Sequence, residues 1–226
     1  MKRVFLRGLN LLANLWNKTL CLLCGRKGVV LVFHEVSDCF DHDESCKIRQ
    51  SSFRRIIERV AANYKIVPVD EFLSSKEKNM AVITFDDVPN SFYSEAYPFL
   101  KEKELPFTLF VAKKFVGMNG FLSAEEILSL DKDPLCTIGA HTCNHVQLRY
   151  ESNSEYDIKE SKLFLEELLG HQVKYMAYPY GRYDSVSGKN RREVKESGFT
   201  AAFSTINSLV PRCYNHFFVP RVEQIQ

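Results

Sequence analysis

From Gly28 onward two periodicities alternate along the chain. Residues 29–33 form a continuous apolar run, the pattern of a strand buried on both faces. Ser52 then opens a helical spacing of Phe53, Ile56, Ile57 and Val60. Further short strands are predicted at 66–69, 81–85, 107–112, 136–140, 174–178 and 200–204. Ser123 with Glu126, and Ser152 with Glu155, have the spacing of capping boxes that start intervening helices. Gly170 and Gly198 sit where two of those helices should stop. Seven or eight strands alternating with helices predict a parallel β/α domain, either a barrel or an open sheet. No internal repeat or linker divides it, so residues 28–226 are expected to form one domain.

Residues 1–27 follow a different pattern. Phe5, Leu9, Leu12, Trp16, Leu20 and Leu23 fall on one stripe of a helix, with Arg7, Asn10, Asn14 and Asn17 on the other face. Asn10 and Asn14 break the apolar run that a cleavable leader would need, and Lys18 falls inside the only candidate span. Two readings remain open: a helix packed on the domain's own surface, or an interfacial helix lying on an anionic membrane.

Charge separates the two parts. Six of the 30 basic residues lie in the first 27 positions (Lys2, Arg3, Arg7, Lys18, Arg26, Lys27), with no acid among them. The remaining 24 face all 28 acids, so residues 28–226 carry a net −4 and make a poor nucleic-acid binder. Seven cysteines, an odd number, do not make a disulfide scaffold. Cys21 and Cys24 lie among leucines without a second half-site, and read as small buried hydrophobes rather than a zinc or redox pair. The expected compartment is therefore reducing: cytoplasmic, at the inner face of the membrane if the helix binds there.

The chemistry gathers just past strand ends. His34 follows one apolar run, Asp86 and Asp87 another, His141 a third, and Pro179-Tyr180-Gly181 a fourth. In parallel barrels that end of the strands carries the active site. Adjacent carboxylates on extended backbone point to opposite sides, so one can face a metal and the other a reacting water. His141 and His145, four apart, share a face of a helical turn, and two imidazoles with one carboxylate suit zinc, cobalt, nickel or iron. Such a site with an open position lowers the pKa of its water from ~15.7 toward ~7. That is hydrolase chemistry.

Thr84-Phe85-Asp86-Asp87, His141-Thr-Cys-Asn-His145 and Tyr178-Pro179-Tyr180-Gly181, in this order and spacing, resemble the first three motifs of the polysaccharide deacetylases, the NodB-homology or carbohydrate esterase 4 family. The likeness runs over roughly residues 28–222 and implies a distorted (β/α)7 barrel behind an N-terminal amphipathic helix. It also implies metal-dependent removal of acetyl from an N-acetylated sugar, with zinc foremost among the metals. By motif position Asp86 is the base, Asp87, His141 and His145 are the metal ligands, Pro179 and Tyr180 line the groove, and the Tyr180 N–H holds the oxyanion. Departures from the pattern shift other roles. Val88 and Pro89 follow the Asp pair where the family has Gly, and Met176-Ala177 stand where an arginine usually orients the base. Arg221 is the candidate replacement. The late Leu-x-His motif is missing, and His34 in Val-Phe-His-Glu-Val resembles the first-strand histidine of the poly-β-1,6-N-acetylglucosamine deacetylase branch, with His216 as a rival acid. The tryptophan of the aromatic motif is absent too. A carbohydrate-binding pseudoenzyme and an amidohydrolase of non-carbohydrate amides are the competing readings.

Overall fold

The computed structural model describes residues 2–38 and 46–223, and within the first helix the side chains of residues 10, 12 and 14–23. Helix α1 (Lys2–Leu23) leads into β1 (Arg26–Phe33), followed by the short β2 (Glu35–Val36), β3 (Lys47–Ile48), α2 (Gln50–Ala61), β4 (Lys65–Ile66) and α3 (Val69–Ser74). Then come β5 (Met80–Asp86), α4 (Tyr97–Glu102), β6 (Phe107–Val111), α5 (Ala124–Asp131) and β7 (Cys136–Ala140). The chain finishes with α6 (Ser154–Leu169), β8 (Tyr175–Ala177), α7 (Gly188–Glu196), β9 (Ala201–Phe203) and β10 (Val210–Pro211). Strands β1, β5, β6, β7, β8 and β9 pair in that order, all parallel. Segment 219–222 closes the curl: Val219 bonds to Ala202 and Ser204 on one edge, Val222 to Val30 and Val32 on the other. Six strands and this segment make the seven-membered barrel.

Two cores follow from the period of two along each strand. Val29, Leu31, Phe33, Ala81, Ile83 and Phe85 face outward, where Phe53, Ile57 and Val60 of α2 cover them. Val30, Val82, Phe110, Ala177, Phe203 and Val219 face inward and fill the barrel. A Cβ on Gly28 would lie 1.9 Å from the Met80 carbonyl oxygen, so only glycine lets β1 and β5 pair this closely.

Local signals fared unevenly. Ser123 and Glu126 form the reciprocal capping box, whereas α6 starts at Ser154 with Asn153 as N-cap and no side-chain cap bond. Likewise α2 starts earlier than expected, capped by Arg49 and not Ser52. The predicted 66–69 strand shrinks to β4, because Pro68 turns the chain and Val69 begins α3. Cys24 is not a buried hydrophobe: it forms a disulfide with Cys213, 189 residues away, while Cys21 stays unbridged, its thiol toward the Leu209 carbonyl at 3.8 Å.

Candidate active site

The inward parity of each strand continues one step past its core residues. Val82 and Thr84 lead to Asp86, Val219 leads to Arg221, and Gly139 leads to His141. Three buried polar groups therefore converge at the C-terminal mouth of the barrel. Arg221 is fully buried and grips Asp86 with both ends of its fork, Nη1 to Oδ1 at 2.7 Å and Nη2 to Oδ2 at 2.6 Å. Its Nε donates to the Ser204 carbonyl at 2.9 Å, Nη1 also reaches Thr84 Oγ1 at 3.1 Å, and its plane lies over the Phe110 ring. Burial alone would raise the Asp86 pKa, but the Arg221 charge, then His141, outweigh it and hold this carboxyl well below the usual range. The missing motif arginine thus has a geometric counterpart on another strand.

Asp87 does not point away from Asp86. A tight turn, with the Val88 N–H on the Asp86 carbonyl and Asp87 at φ 62°, brings both carboxylates to the same histidine. Asp86 Oδ2 lies 3.8 Å and Asp87 Oδ1 3.6 Å from His141 Nε2, and Asp87 Oδ1 is 3.2 Å from His145 Nε2. The two histidines are not on a helical turn either. Thr142 at φ 64° and His145 at φ 52° fold the segment back, and the Thr142 hydroxyl accepts from the His145 N–H at 3.1 Å. Five of the seven non-glycine residues with positive φ among the described residues belong to these site segments: Asp87, Val88, Thr142, His145 and Tyr180. Each costs roughly 1–2 kcal/mol. Val88, β-branched and buried, is the most unusual of them, standing where the family has glycine.

Asp87, His141 and His145 present three ligand atoms within 4.8 Å of one another, the one such group among the described residues. His141 Nδ1 lies 2.8 Å from the Ala177 carbonyl, so Nδ1 carries the proton and Nε2 offers its lone pair to the cluster. Asp87 Oδ1 is buried and has no hydrogen-bond partner. Burial, and next the adjacent Asp86 charge, push the Asp87 carboxyl up to about 7. His141 is pushed down to about 3 by burial against the pull of Asp86, and burial lowers His145 as well. An orphaned oxygen facing two neutral imidazole nitrogens is a donor set that fits a divalent cation.

The rim is aromatic. Tyr180, about half exposed, lies 5.3 Å from the His145 ring, and Phe115 lies 5.4 Å from it on another side. Phe121 stacks on Phe115 at 4.5 Å. Pro179 is buried beneath Tyr180, whose carbonyl accepts from Thr205 Oγ1 at 2.5 Å. Gly181 is required here, since a Cβ would lie 2.5 Å from the Thr205 nitrogen. Sequence reading missed Phe115, because a single aromatic after a strand carries no periodic signal. His34 follows Phe33, which pairs with Phe85, so it stands beside Asp86 at the same mouth of the barrel. His216 lies elsewhere. It is exposed, stacked on Tyr214, whose ring in turn faces Lys27 near the start of β1. The described Cys143 is outside the ligand group.

Comparison with known proteins agrees with this geometry. The profile described as polysaccharide deacetylase matches residues 74–202, more than half of the chain. The chain belongs to the polysaccharide deacetylase family. A curated relative from Staphylococcus aureus strain MRSA252, a poly-beta-1,6-N-acetyl-D-glucosamine N-deacetylase, is 26% identical over 196 residues, covering 77% of this chain and 67% of its own. The structure of IcaB from Ammonifex degensii superposes with a TM-score of 0.76 at 25% identity, over 89% of this chain and 93% of that one. The Streptococcus pyogenes deacetylase PplD, solved with acetate, shares the fold at 19% identity and a TM-score of 0.77, over 88% and 92%.

Proposed function

We propose that the protein hydrolyses the acetamido group of an N-acetylated sugar in a poly- or oligosaccharide, with a poly-N-acetylglucosamine-type chain as the favoured substrate. The observation that carries this is the three-donor cluster of Asp87, His141 and His145 beside an Asp86 clamped by a buried arginine. Those three residues would hold a divalent cation, zinc first among the candidates, which when bound polarises a carbonyl and acidifies water. Asp86 accepts the proton of the attacking water. Arg221 occupies one lone-pair direction on each of its oxygens and keeps the carboxylate ionised and oriented. The Tyr180 N–H, aimed by the turn that Thr205 anchors, donates to the developing oxyanion. His34, at the same mouth, delivers the proton that the departing amine needs. Phe115 and Tyr180 supply apolar faces beside His145 that take the part of the absent tryptophan. The likeness to the staphylococcal relative supports the sugar, and the Cys24–Cys213 disulfide supports an oxidising compartment over the cytoplasm expected from cysteine count.

The test is metal content together with acetate release from an N-acetylglucosamine oligomer, for wild type and Asp87→Ala. Bound metal and released acetate, both lost in the variant, are the expected result. Bound metal with acetate released only from simple acetamides would move the substrate to a non-carbohydrate amide. Metal with no hydrolysis of either would leave a glycan-binding role, and absence of bound metal would overturn the cluster's assignment.

A further inference from the structure

Helix α1 sits on the barrel the opposite way round from an ordinary surface helix. Its half-buried side chains are Asn10, Asn14, Asn17, Leu20 and Cys21, with Cys24 just past its end, so the asparagine face is the one that docks. Asn10 Oδ1 accepts from the Tyr183 N–H at 2.9 Å, and Cys24 is bonded to Cys213. Between those two anchors the helix runs about 20 Å along the side of the barrel, from the loop after Tyr180 to the opposite end. Five of its apolar residues point away: Leu12 and Leu15 are 62% exposed, Trp16 64%, Leu22 86% and Leu23 79%. The predicted stripe is uncovered at Leu12, Trp16 and Leu23, whereas its member Leu20 is half-buried on the docked side; its Phe5 and Leu9 side chains, and that of Arg7 opposite, lie outside the described ones. Burying such a stripe against its own domain is the usual reason an amphipathic helix forms. Here nothing in the chain among the described residues covers it.

Charge says what would. No acid occurs before Glu35, while Lys2, Arg3, Arg7, Lys18, Arg26 and Lys27 do. Where the stripe ends, a groove of about 790 Å³ opens between α1 and the start of β5, with Leu22 and Leu209 beside exposed Lys18, Arg26 and Lys78. A second copy of the same basic helix would meet like charges, and a mixed apolar and cationic face of this kind matches lipid tails beneath anionic headgroups. No helix among the described residues is long and apolar enough to cross a membrane, so the contact lies in the interface plane.

We propose that the outward face of α1, centred on Leu12, Leu15, Trp16, Leu22 and Leu23 with Lys18 and Arg26 at its edge, seats the protein on an anionic phospholipid bilayer. The Tyr183 bond then holds the rim of the active site close to that surface. Trp16 is the one tryptophan in the chain, so its fluorescence reports on this face alone. Full-length protein is titrated with phosphatidylcholine vesicles, with and without phosphatidylglycerol, while Trp16 emission and co-sedimentation are followed. The expected result is a blue shift and co-sedimentation with the anionic vesicles, weakened by salt and reduced at least about tenfold in Leu15→Glu/Leu22→Glu. Both leucines are solvent-exposed, and circular dichroism checks that the variant is folded. No shift and no sedimentation would overturn the proposal. So would equal binding to neutral vesicles, or a blue-shifted Trp16 with concentration-dependent self-association before lipid is added. None of these readouts involves deacetylation, so failure here leaves the proposed activity standing.

Discussion

The two ends of the barrel are built from the same inward-facing positions and treat polar atoms in opposite ways. At the end where the strands begin, the interior closes with Phe72, Met80 and Tyr175, and the tyrosine hydroxyl reaches Asp70 at 2.6 Å. Lys27, nearly buried, lies over Phe72 and Tyr214 and donates to the Ser75 carbonyl. The polar tips of Lys27 and Tyr175 are partnered there, and the two non-glycine residues of positive φ at this end, Asn79 and Glu104, lie in the loops that lead into β5 and β6. At the other end Asp86, His141 and Arg221 are all buried, Asp87 Oδ1 has no partner, and five strained backbone positions gather. Backbone strain lowers stability, so its concentration at one end marks where the fold holds a geometry for a ligand.

The largest way to break the contrast is to remove the clamp that makes the charged end tolerable. Arg221→Met leaves the Asp86 carboxylate buried without its partner, which costs about 3–5 kcal/mol. Adding Asp86→Leu should restore most of that stability, since two apolar groups replace two buried charges, while acetate release stays absent. Chemical denaturation of the single and double variants measures the first effect, and an acetate assay the second. A single variant as stable as wild type would mean that the pair does not carry this end.

Next in size is a comparison of histidines placed at opposite ends. His34→Ala should slow acetate release by about 10²–10⁴-fold, the range of general acid catalysis. His216→Ala, on an exposed ring stacked against Tyr214, should leave the rate unchanged. Equal effects from both, or a loss only in His216→Ala, would remove His34 from the mechanism.

Much of the fold could be read from the sequence because alternation and strand ends are local properties. The predicted strand at 136–140 coincides with β7 to the residue, and the inward parity of Val82 and Thr84 already points Asp86 into the barrel. The place of Arg221 after an apolar run points to it, yet the closure that delivers it depends on segment 219–222 pairing with both sheet edges, 15 or more residues away. What stayed hidden depended on backbone that propensity does not favour. Val88, Thr142 and His145 in left-handed conformations are the reason the carboxylates converge and the histidines are not helical. Cys24 could not be paired with Cys213 across 189 residues from spacing alone. Nor could the helical stripe tell which of its faces would dock, because asparagines rarely form the buried side.

The smallest expected effect tests the quiet end through pH. His171 Nε2 lies 2.9 Å from Asp131 Oδ2, and Nδ1 meets the Gln172 carbonyl at 3.2 Å. The hydrogen bond to Asp131 comes first among the causes that raise the His171 pKa above its ordinary 6.5. A histidine whose folded-state pKa is raised contributes stability that is fully present below 6.5 and disappears as pH rises through the folded value. The ring is about half exposed, so solvent screens the pair and the contribution is under about 1 kcal/mol. His171→Gln should therefore melt slightly below wild type at pH 5.5 and alongside it at pH 8.5. Melting curves at the two pH values measure the difference directly. A deficit that persisted or grew at high pH would show that His171 supports the fold through packing, and that this end, too, depends on more than paired surface charge.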